Sequence, residues 1–229
     1  MSIVVRDIPR PGAGIVNGFV GLGVATVHEA QERTGLLDSR LRPIYAGAHV
    51  CGPAVTVSVP PGDNWMIHVA VEQCQEGDVL VVSPTTPSDA GYFGELLATA
   101  LRARKVRGLV IDAGCRDVAE LTAMGFPVWS KCVSAFGTVK ETLGDVNRPL
   151  VIAGQLVNPG DLIVADDDGV VVVPRQKAPG VLAASRARED KEARSRARYQ
   201  AGELSLDVGG MRERLARKGL VYVDKEPGE

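Results

Sequence analysis

The pair Arg116–Asp117 places two chemically useful side chains where an apolar run passes into a polar one. The surrounding stretch reads LVIDAGCRDVAEL, and it predicts a buried strand (109–112), a turn (113–114) and then a helix (118–126). Arginine binds carboxylates and stabilises oxyanions, and aspartate is a hard oxygen ligand that suits Mg²⁺ or Mn²⁺. A plainer role is also open, because an acid at a helix start complements the helix dipole and an arginine is often a surface residue.

A second motif, GYFGELLATAL, precedes the pair by one predicted strand and begins a helix that runs from about Glu95 to Lys105. A helix start offers unpaired backbone N–H groups and the positive end of a dipole, which together suit a small carboxylate. Both motifs follow apolar strands, and the turns after such strands meet at one edge of an α/β sheet. We therefore predict an anion cradle at residues 95–97, a cation at Arg116 and a metal ligand at Asp117. This set suits a reaction that forms an enolate from a 2-oxo acid.

The elements that would position these residues alternate between strand and helix. Residues 79–135 predict strand, helix, strand, helix and strand, which right-handed crossovers would assemble into a partly parallel sheet. A β-branched stretch (49–61) predicts another strand, and residues 64–74 predict a helix. Trp65 and His68 are expected on the inner side of that helix, as core or interface residues.

The last third of the chain changes character. Residues 150–175 predict a β-meander of three short strands, with the acidic run 166–168 at a hairpin tip. Residues 177–203 predict a long charged helix with a thin apolar face, and the tail predicts a short helix and a strand-like end. We therefore expect one compact α/β domain (residues 1–176) followed by a C-terminal helical arm (177–229) of the same domain.

The composition excludes several classes of protein. The 229 residues are 45% hydrophobic, which is enough for a substantial core. The net charge of −2 does not indicate binding to nucleic acid or to an anionic membrane. No apolar run approaches the ~20 residues of a membrane span, and the N-terminus has no signal-peptide pattern. None of the four cysteines has CxxC spacing, so neither a metal knuckle nor a disulfide framework is indicated. We expect a soluble, cytoplasmic protein with neither a nucleic-acid nor a membrane partner.

Other polar residues near these motifs have open or structural interpretations. His28 and Glu29 suit either acid–base chemistry or a buried, hydrogen-bonded structural pair. Asp63 and Asn64 follow a Pro-Pro-Gly turn and predict a helix cap. Cys115 neighbours the Arg116–Asp117 pair, but no histidine base is assigned beside it, so no nucleophilic role is expected.

Several stretches of the chain resemble one family over nearly its whole length. Glu95, followed after twenty residues by Arg116–Asp117 and after two more by Glu120, matches the family signature. GVATVHEAQ, PPGDNWMIHVAVEQC, GLVIDAGCRD and IVADDDGVVVVP are similar to its other stretches. The family comprises the class II (metal-dependent) pyruvate aldolases related to the regulator of RNase E activity A. The resemblance implies a layered α/β/β sandwich assembled as trimers or hexamers.

The resemblance also implies a role for each matching residue. The backbone at the helix start would bind a pyruvate carboxylate through Gly94, Glu95, Leu96 and Leu97. Arg116 would bind the pyruvyl oxygen, and Asp117 would be the only direct protein ligand of Mg²⁺ or Mn²⁺. Glu95 would hold a metal-bound water, at a position where many relatives carry aspartate. Glu192, from the arm of a neighbouring subunit, would supply another acid, with the acids at 189–190 close in sequence.

Two functions of different classes follow from the resemblance. The first is retro-aldol cleavage of 4-carboxy-4-hydroxy-2-oxoadipate to pyruvate and oxaloacetate, or of 4-hydroxy-4-methyl-2-oxoglutarate to two pyruvates, in bacterial breakdown of protocatechuate or gallate. Oxaloacetate decarboxylation would be a side activity. The second is inhibition of an RNA-degrading endonuclease, which needs no metal. The acids at 189, 190 and 192 in the C-terminal arm favour the aldolase, because one of them would supply the cross-subunit carboxylate.

Overall fold

Eleven strands of two to ten residues form the sheets of the described structure. The computed structural model describes residues 1–225. Its strands are β1 (Arg42–Pro43), β2 (Val50–Val59), β3 (Val79–Pro84), β4 (Gly91–Phe93), β5 (Gly108–Cys115), β6 (Val128–Val133), β7 (Asp145–Val146), β8 (Leu150–Ile152), β9 (Gln155–Val157), β10 (Leu162–Asp166) and β11 (Gly169–Val173). The longest of them, β2, is β-branched and almost wholly buried, as a central strand requires.

Eight helices lie between and after these strands in the described part of the chain. They are α1 (Ala13–Phe19), α2 (Val24–Ala30), α3 (Trp65–Gln73), α4 (Glu95–Ala103), α5 (Val118–Ala123), α6 (Ala178–Gln200), α7 (Ser205–Val208) and α8 (Arg212–Arg217). The predicted long charged helix is therefore confirmed as α6.

The main sheet is mixed, with a parallel centre. Its strand order is β1-β6-β5-β3-β2-β10-β11, with β4 beside β5 and β7 beside β2. Strands β2, β3, β5 and β6 are mutually parallel, whereas β10 and β11 pair antiparallel. Parallel neighbours need crossover connections, and α3, α4 and α5 supply the three of them. The pattern predicted for residues 79–135 is thus confirmed.

Apolar layers cover both faces of the sheet. Helices α3, α4 and α5 pack on one face around Leu101 and Leu121. On the other face, Val110 and Trp129 pack against Ile152 of the hairpin β8–β9. Helices α1 and α2 and the first turn of α6 cover β10 and β11. This arrangement confirms the predicted layered α/β/β sandwich.

The strand before Arg116 is longer than the sequence predicted. A turn was expected at residues 113–114, but β5 continues to Cys115. The extension is stabilised from both sides, because β4 and β6 both pair with Gly114 and Cys115. β4 itself lies just before the helix predicted from about Glu95, where the sequence predicted no strand. Both differences arise from pairing between segments that are distant in sequence.

The predicted three-stranded meander is wrong. Residues 150–175 form four strands in two separate hairpins, of which β8–β9 stands alone and β10–β11 joins the main sheet through β2. The acidic run does lie at the β10–β11 turn, as predicted. In the tail, α8 confirms the short helix, but residues 218–225 contain no strand. The last residues of the expected strand-like end, 226–229, lie outside the described part.

The inner face of α3 also differs from the prediction. Trp65 is 41% exposed, and His68 lies on the exposed side, whereas Met66, Ile67 and Ala70 are buried. Partial burial of the ring, with a smaller contribution from nearby Lys140, lowers the pKa of His68. The assignment of Trp65 and His68 to the core of this chain is therefore wrong.

The chain divides into two compact units, Met1–Ser185 and Arg186–Glu229. The first contains all the strands and helices α1 to α5, and the second contains α7 and α8. The predicted division into residues 1–176 and 177–229, and the packing of the arm on a neighbouring subunit, stay predictions. No helix within residues 1–225 is long and apolar enough to cross a membrane.

Asp63 ties the start of α3 to the loop that follows β6. Its carboxylate accepts the backbone N–H groups of Trp65 at 2.8 Å and of Glu141 and Thr142 at 2.7 Å each. The cap predicted for Asp63 is confirmed, since Asp63 accepts the first N–H of α3, but Asn64 at the N-cap position makes no side-chain capping bond and donates instead to the Tyr92 carbonyl oxygen. Burial opposes ionisation and by itself raises the pKa of Asp63, but the three N–H bonds and the charge of Lys140 outweigh it, so the pKa is lowered.

We predict that Asp63→Asn lowers the free energy of unfolding at pH 7 by about 1–3 kcal/mol, because a carboxylate that accepts three N–H bonds is lost. The folded pKa lies below the unfolded value of about 3.9, so the contribution is complete above about pH 5 and is lost as the pH falls through the folded pKa. Urea denaturation at pH 7 and pH 3 measures how much of the contribution is lost as the pH falls.

The expected difference in unfolding free energy between wild type and Asp63→Asn is larger at pH 7 than at pH 3. Asp168→Asn, at an exposed hairpin tip, is the matched control and should change the unfolding free energy little at either pH. An equal loss at both values would show that the charge of Asp63 is not what stabilises this junction.

Candidate active site

Strand β4 holds the start of α4 against the end of β5. Phe93 pairs with Cys115, and the carbonyl oxygen of Phe93 accepts the Arg116 backbone N–H at 2.8 Å. Gly114 permits this close approach, since a Cβ there would lie 2.7 Å from the carbonyl oxygen of Ala90. The first residues of α4 follow β4 directly, so this pairing places them beside the Arg116–Asp117 pair.

Asp117 connects the two motifs by a hydrogen bond. Its Oδ2 accepts the Glu95 backbone N–H at 3.0 Å, and Arg116 Nε lies 3.9 Å from the same oxygen. The backbone of Asp117 is left-handed (φ 58°, ψ 42°), a conformation that aspartate tolerates better than most residues. Asp117 opens α5, yet its side chain makes no capping bond there and instead satisfies the start of α4. Within residues 1–225, its Oδ1 has no hydrogen-bond partner.

The start of α4 keeps two backbone donors available. The first bond of the helix runs from the Ala98 N–H to the Gly94 carbonyl oxygen, and Asp117 takes the N–H of Glu95. The N–H groups of Leu96 and Leu97 have no acceptor in the described part of the chain. The Leu96 side chain is exposed and that of Leu97 is buried, so Leu97 contributes its backbone to the site and its side chain to the core. Two of the three N–H groups of the predicted anion cradle are therefore available, whereas that of Glu95 is bonded to Asp117, and carboxylate binding there stays a prediction.

Glu95 is held by a residue that the sequence analysis missed. The Glu95 carboxylate is half-buried, and its Oε1 accepts the Thr99 hydroxyl at 2.8 Å. Residues four apart lie on the same side of a helix, so a threonine four positions after an acid was the available signal.

The Arg116–Asp117 pair faces solvent in the single chain. The Arg116 side chain is 49% exposed and that of Asp117 is 39% exposed. Cys115 lies behind them, fully buried, with its Sγ 3.3 Å from Ser130 Oγ. Burial raises the pKa of the Cys115 thiol, which disfavours the reactive thiolate. This environment agrees with the absence of a nucleophilic role for Cys115.

Two further groups of candidate residues have contacts of their own. On α2, His28 is half-buried, and Glu29 pairs with Arg33 at 3.0 Å. Both interpretations of His28 and Glu29 stay predictions. In the second unit, Glu192 Oε1 pairs with Arg188 Nε at 2.8 Å. The catalytic role of Glu192 stays a prediction.

The donor set fits Mg²⁺ or Mn²⁺ better than a metal that needs several side-chain ligands. Residues 1–225 contain no group of three or more His, Cys, Asp or Glu side chains that could hold a metal ion. Asp117 offers one uncommitted carboxylate oxygen, and Mg²⁺ usually keeps several waters and takes only one or two carboxylates. A tetrahedral zinc site would need three or four protein ligands. Asp117 is therefore the residue that would hold the metal.

The sequence between α2 and β11 matches a known family. The family model described as RraA-like, Aldolase/RraA, matches residues 24–172. The chain belongs to the RraA-like family. The matched region includes Glu95, Arg116 and Asp117 and ends before Glu192. The family assignment therefore rests on the sheet and the site between α4 and β5, and not on the arm.

Individual RraA-like relatives have different names. A protein of Halalkalibacterium halodurans, provisionally named 4-hydroxy-4-methyl-2-oxoglutarate aldolase, is 30% identical over 80% of this chain and 87% of its own. Streptomyces coelicolor RraAS2, described as an unusual member of the RNase ES inhibitor RraA family, is 30% identical with a TM-score of 0.74, over 83% of this chain and 99% of its own. A Pseudomonas syringae protein of unassigned function is 25% identical with a TM-score of 0.77, over 88% of this chain and 99% of its own.

We predict that Gly94→Ala breaks the contact between α4 and Asp117. A Cβ on Gly94 would collide with Asp117 Oδ2 and lie 3.1 Å from Arg116 Cγ, so the carboxylate must leave the Glu95 N–H. Loss of a helix cap of this kind costs about 1 kcal/mol in unfolding free energy. Hydrogen exchange of the Glu95 amide, followed by NMR, should become faster.

Gly137→Ala is the matched control, because the added Cβ would meet nothing within 4 Å. It should leave both the Glu95 exchange rate and the unfolding free energy close to the wild-type values. Unchanged Glu95 exchange in Gly94→Ala would show that Asp117 does not cap α4.

Proposed function

We propose that this RraA-like protein is a class II pyruvate aldolase that uses Mg²⁺ or Mn²⁺. Its substrates would be 4-carboxy-4-hydroxy-2-oxoadipate, cleaved to pyruvate and oxaloacetate, and 4-hydroxy-4-methyl-2-oxoglutarate, cleaved to two pyruvates. The name of the Halalkalibacterium relative supports the second substrate class. A setting in bacterial aromatic-acid breakdown and a cytoplasmic location belong to the same proposal.

One observation carries this proposal: a free carboxylate oxygen, a guanidinium and two free backbone donors lie at one junction. Asp117 Oδ2 is fixed by the Glu95 N–H, which leaves Oδ1 for a metal. The N–H groups of Leu96 and Leu97 point out of the positive end of α4 and suit a carboxylate. Arg116 is beside Asp117. A 2-oxo acid has a carboxylate next to a carbonyl, and this site offers a partner for each.

The chain's own residues would carry the reaction as follows. The N–H groups of Leu96 and Leu97 bind the substrate carboxylate, and Arg116 binds the adjacent carbonyl oxygen. Glu95 takes up the proton of the C4 hydroxyl, directly or through a water. The electron pair left on the C4 oxygen then forms the carbonyl of the second product as the C3–C4 bond breaks. The electron pair of that bond moves into the pyruvate enolate, and Arg116 stabilises the enolate oxygen. Return of a proton to C3 completes pyruvate.

A bound divalent metal supplies Lewis-acid stabilisation of the same developing negative charge. Oxaloacetate carries a carboxylate where the aldol bond would break. Its loss as CO₂ forms the same enolate, so the same residues would support oxaloacetate decarboxylation as a side activity.

We further propose that the protein acts as a homotrimer or homohexamer in which a neighbouring copy completes the site with Glu192. Leu96 is 80% exposed and Phe136 is 72% exposed. Leu96 is in the first turn of α4, and the Phe136 carbonyl oxygen accepts the Gly91 N–H of β4 at 2.7 Å. Exposed apolar side chains beside the elements of the site are available for contact with a neighbouring copy.

The decisive experiment is a lactate dehydrogenase-coupled assay for pyruvate from 4-carboxy-4-hydroxy-2-oxoadipate. We predict turnover with Mg²⁺, loss of turnover in EDTA, and at least a roughly hundredfold loss in Asp117→Asn, because removal of a metal ligand removes the charge stabilisation. Asparagine accepts the left-handed backbone, so this variant should stay folded. Near-normal turnover of Asp117→Asn at equal metal would refute the assignment of the metal ligand.

Mixed oligomers test whether the site is shared between copies. We predict that Asp117→Asn and Glu192→Gln are each nearly inactive, and that unfolding and refolding the two together restores part of the activity. Restoration would follow because some hybrid interfaces combine a wild-type Asp117 with a wild-type Glu192. The same mixture of Asp117→Asn with Arg116→Ala is the control, since neither hybrid contains an intact junction. Full activity of Glu192→Gln alone would remove Glu192 from the mechanism.

Inhibition of an RNA-degrading endonuclease is the second candidate function, and the likeness to Streptomyces coelicolor RraAS2 favours it. That function predicts capture of an RNase E-type endonuclease by the immobilised protein, and capture that EDTA and Asp117→Asn leave unchanged. Absence of pyruvate with either metal, from protein shown to be folded, together with such capture would replace the aldolase proposal.

A further inference from the structure

Thr99 makes a contact that the fold does not require. It lies on the exposed side of α4, and its hydroxyl donates to Glu95 Oε1 at 2.8 Å. A helical threonine usually returns its hydroxyl to the carbonyl oxygen four residues earlier, but here it bonds the side chain at that position. Threonine is also a weaker helix former than alanine or leucine at an exposed position. Packing does not explain the residue, and a side-chain pair four residues apart stabilises a helix by only about 0.2–0.5 kcal/mol.

The bond restricts the one flexible acid at the proposed site. Glutamate turns about one more side-chain bond than aspartate, so its carboxylate samples a wider space. Thr99 is the residue whose side chain is bonded to Glu95 in the described part of the chain, and the nearby Arg102 donates instead to the Met124 carbonyl oxygen. The contact uses Oε1 and leaves Oε2 of Glu95 available.

We propose that Thr99 is a positioning residue, which fixes Glu95 in the orientation needed to take up the substrate proton. This inference rests on the proposed aldolase function and deepens it. It means that the chain uses a glutamate and a threonine one helical turn apart to fix the position of a single carboxylate. Thr99 acts through Glu95, and within residues 1–225 no hydrogen bond joins its side chain to Asp117.

A double-mutant cycle tests whether Thr99 acts through Glu95. Thr99→Val keeps the shape and removes the donor, and we expect it to lower kcat about tenfold, in the range seen when a supporting partner of a site residue is lost. Thr99→Ser keeps the donor and should retain nearly full kcat. In a Glu95→Gln background, Thr99→Val should cause no further loss, because the carboxylate that it positions is gone.

Mn²⁺ affinity gives a measurement that does not depend on turnover. Electron paramagnetic resonance of free Mn²⁺ should show a Kd about three- to tenfold weaker for Thr99→Val and unchanged for Thr99→Ser. The difference between threonine and valine should again vanish with Glu95→Gln. Thermal midpoints should match across the series, since residue 99 is exposed.

The outcomes separate this proposal from the proposed function. Equal losses from Thr99→Val in the wild-type and the Glu95→Gln backgrounds, or no loss in either measurement, would overturn the positioning role. Wild-type kcat in Glu95→Gln would overturn it as well, because Thr99 would then have nothing to position. If the wild type forms no pyruvate, the aldolase proposal fails, and the Mn²⁺ series alone decides whether Thr99 orients Glu95.

Discussion

The hydrogen bond from the Glu95 N–H to Asp117 Oδ2 determines the geometry of the candidate site. It joins the start of one helix to the start of the next, across the parallel strand between them. Three local conditions make it possible: a left-handed backbone at Asp117, no side chain on Gly94, and the pairing of β4 with β5. Each condition concerns the backbone, so the position of the carboxylate is set by the fold and not by side-chain flexibility.

The same bond gives Asp117 two functions with one side chain. A helix start has N–H groups without internal partners, and an acceptor there stabilises the helix. Asp117 meets that need of α4 with one oxygen and keeps the other for a ligand. Arg116, which follows β5 directly, is fixed in the same way, because its own backbone N–H is bonded to Phe93. The sheet thus positions the cation and the anion by main-chain contacts.

Sequence reasoning found the parts of this arrangement that local patterns encode. The apolar runs of β3, β5 and β6, the helices between them, and the Arg116–Asp117 pair are all visible in short windows of sequence. β4 was missed because three residues, GYF, carry no periodicity and become a strand only by pairing with β5. The outward position of Trp65 and His68 was missed because six of the nine residues of WMIHVAVEQ are apolar and lie on most sides of the helix, so their spacing does not identify the buried face of α3.

The choice between an aldolase and an endonuclease inhibitor depends on the polar groups at the junction that have no role in stabilising the fold. Gly94, Asp117 and the β4–β5 pairing would be needed by any member of the family that keeps this junction, because they stabilise α4. Their presence therefore does not distinguish an enzyme from an inhibitor. Asp117 Oδ1, the N–H groups of Leu96 and Leu97, and the free oxygen of Glu95 have no such structural role. A threonine that holds Glu95 in place adds nothing to a docking surface, whereas it reduces the freedom of a carboxylate that must meet a substrate proton. On this ground the unused donors and acceptors, more than the shape of the junction, favour the aldolase.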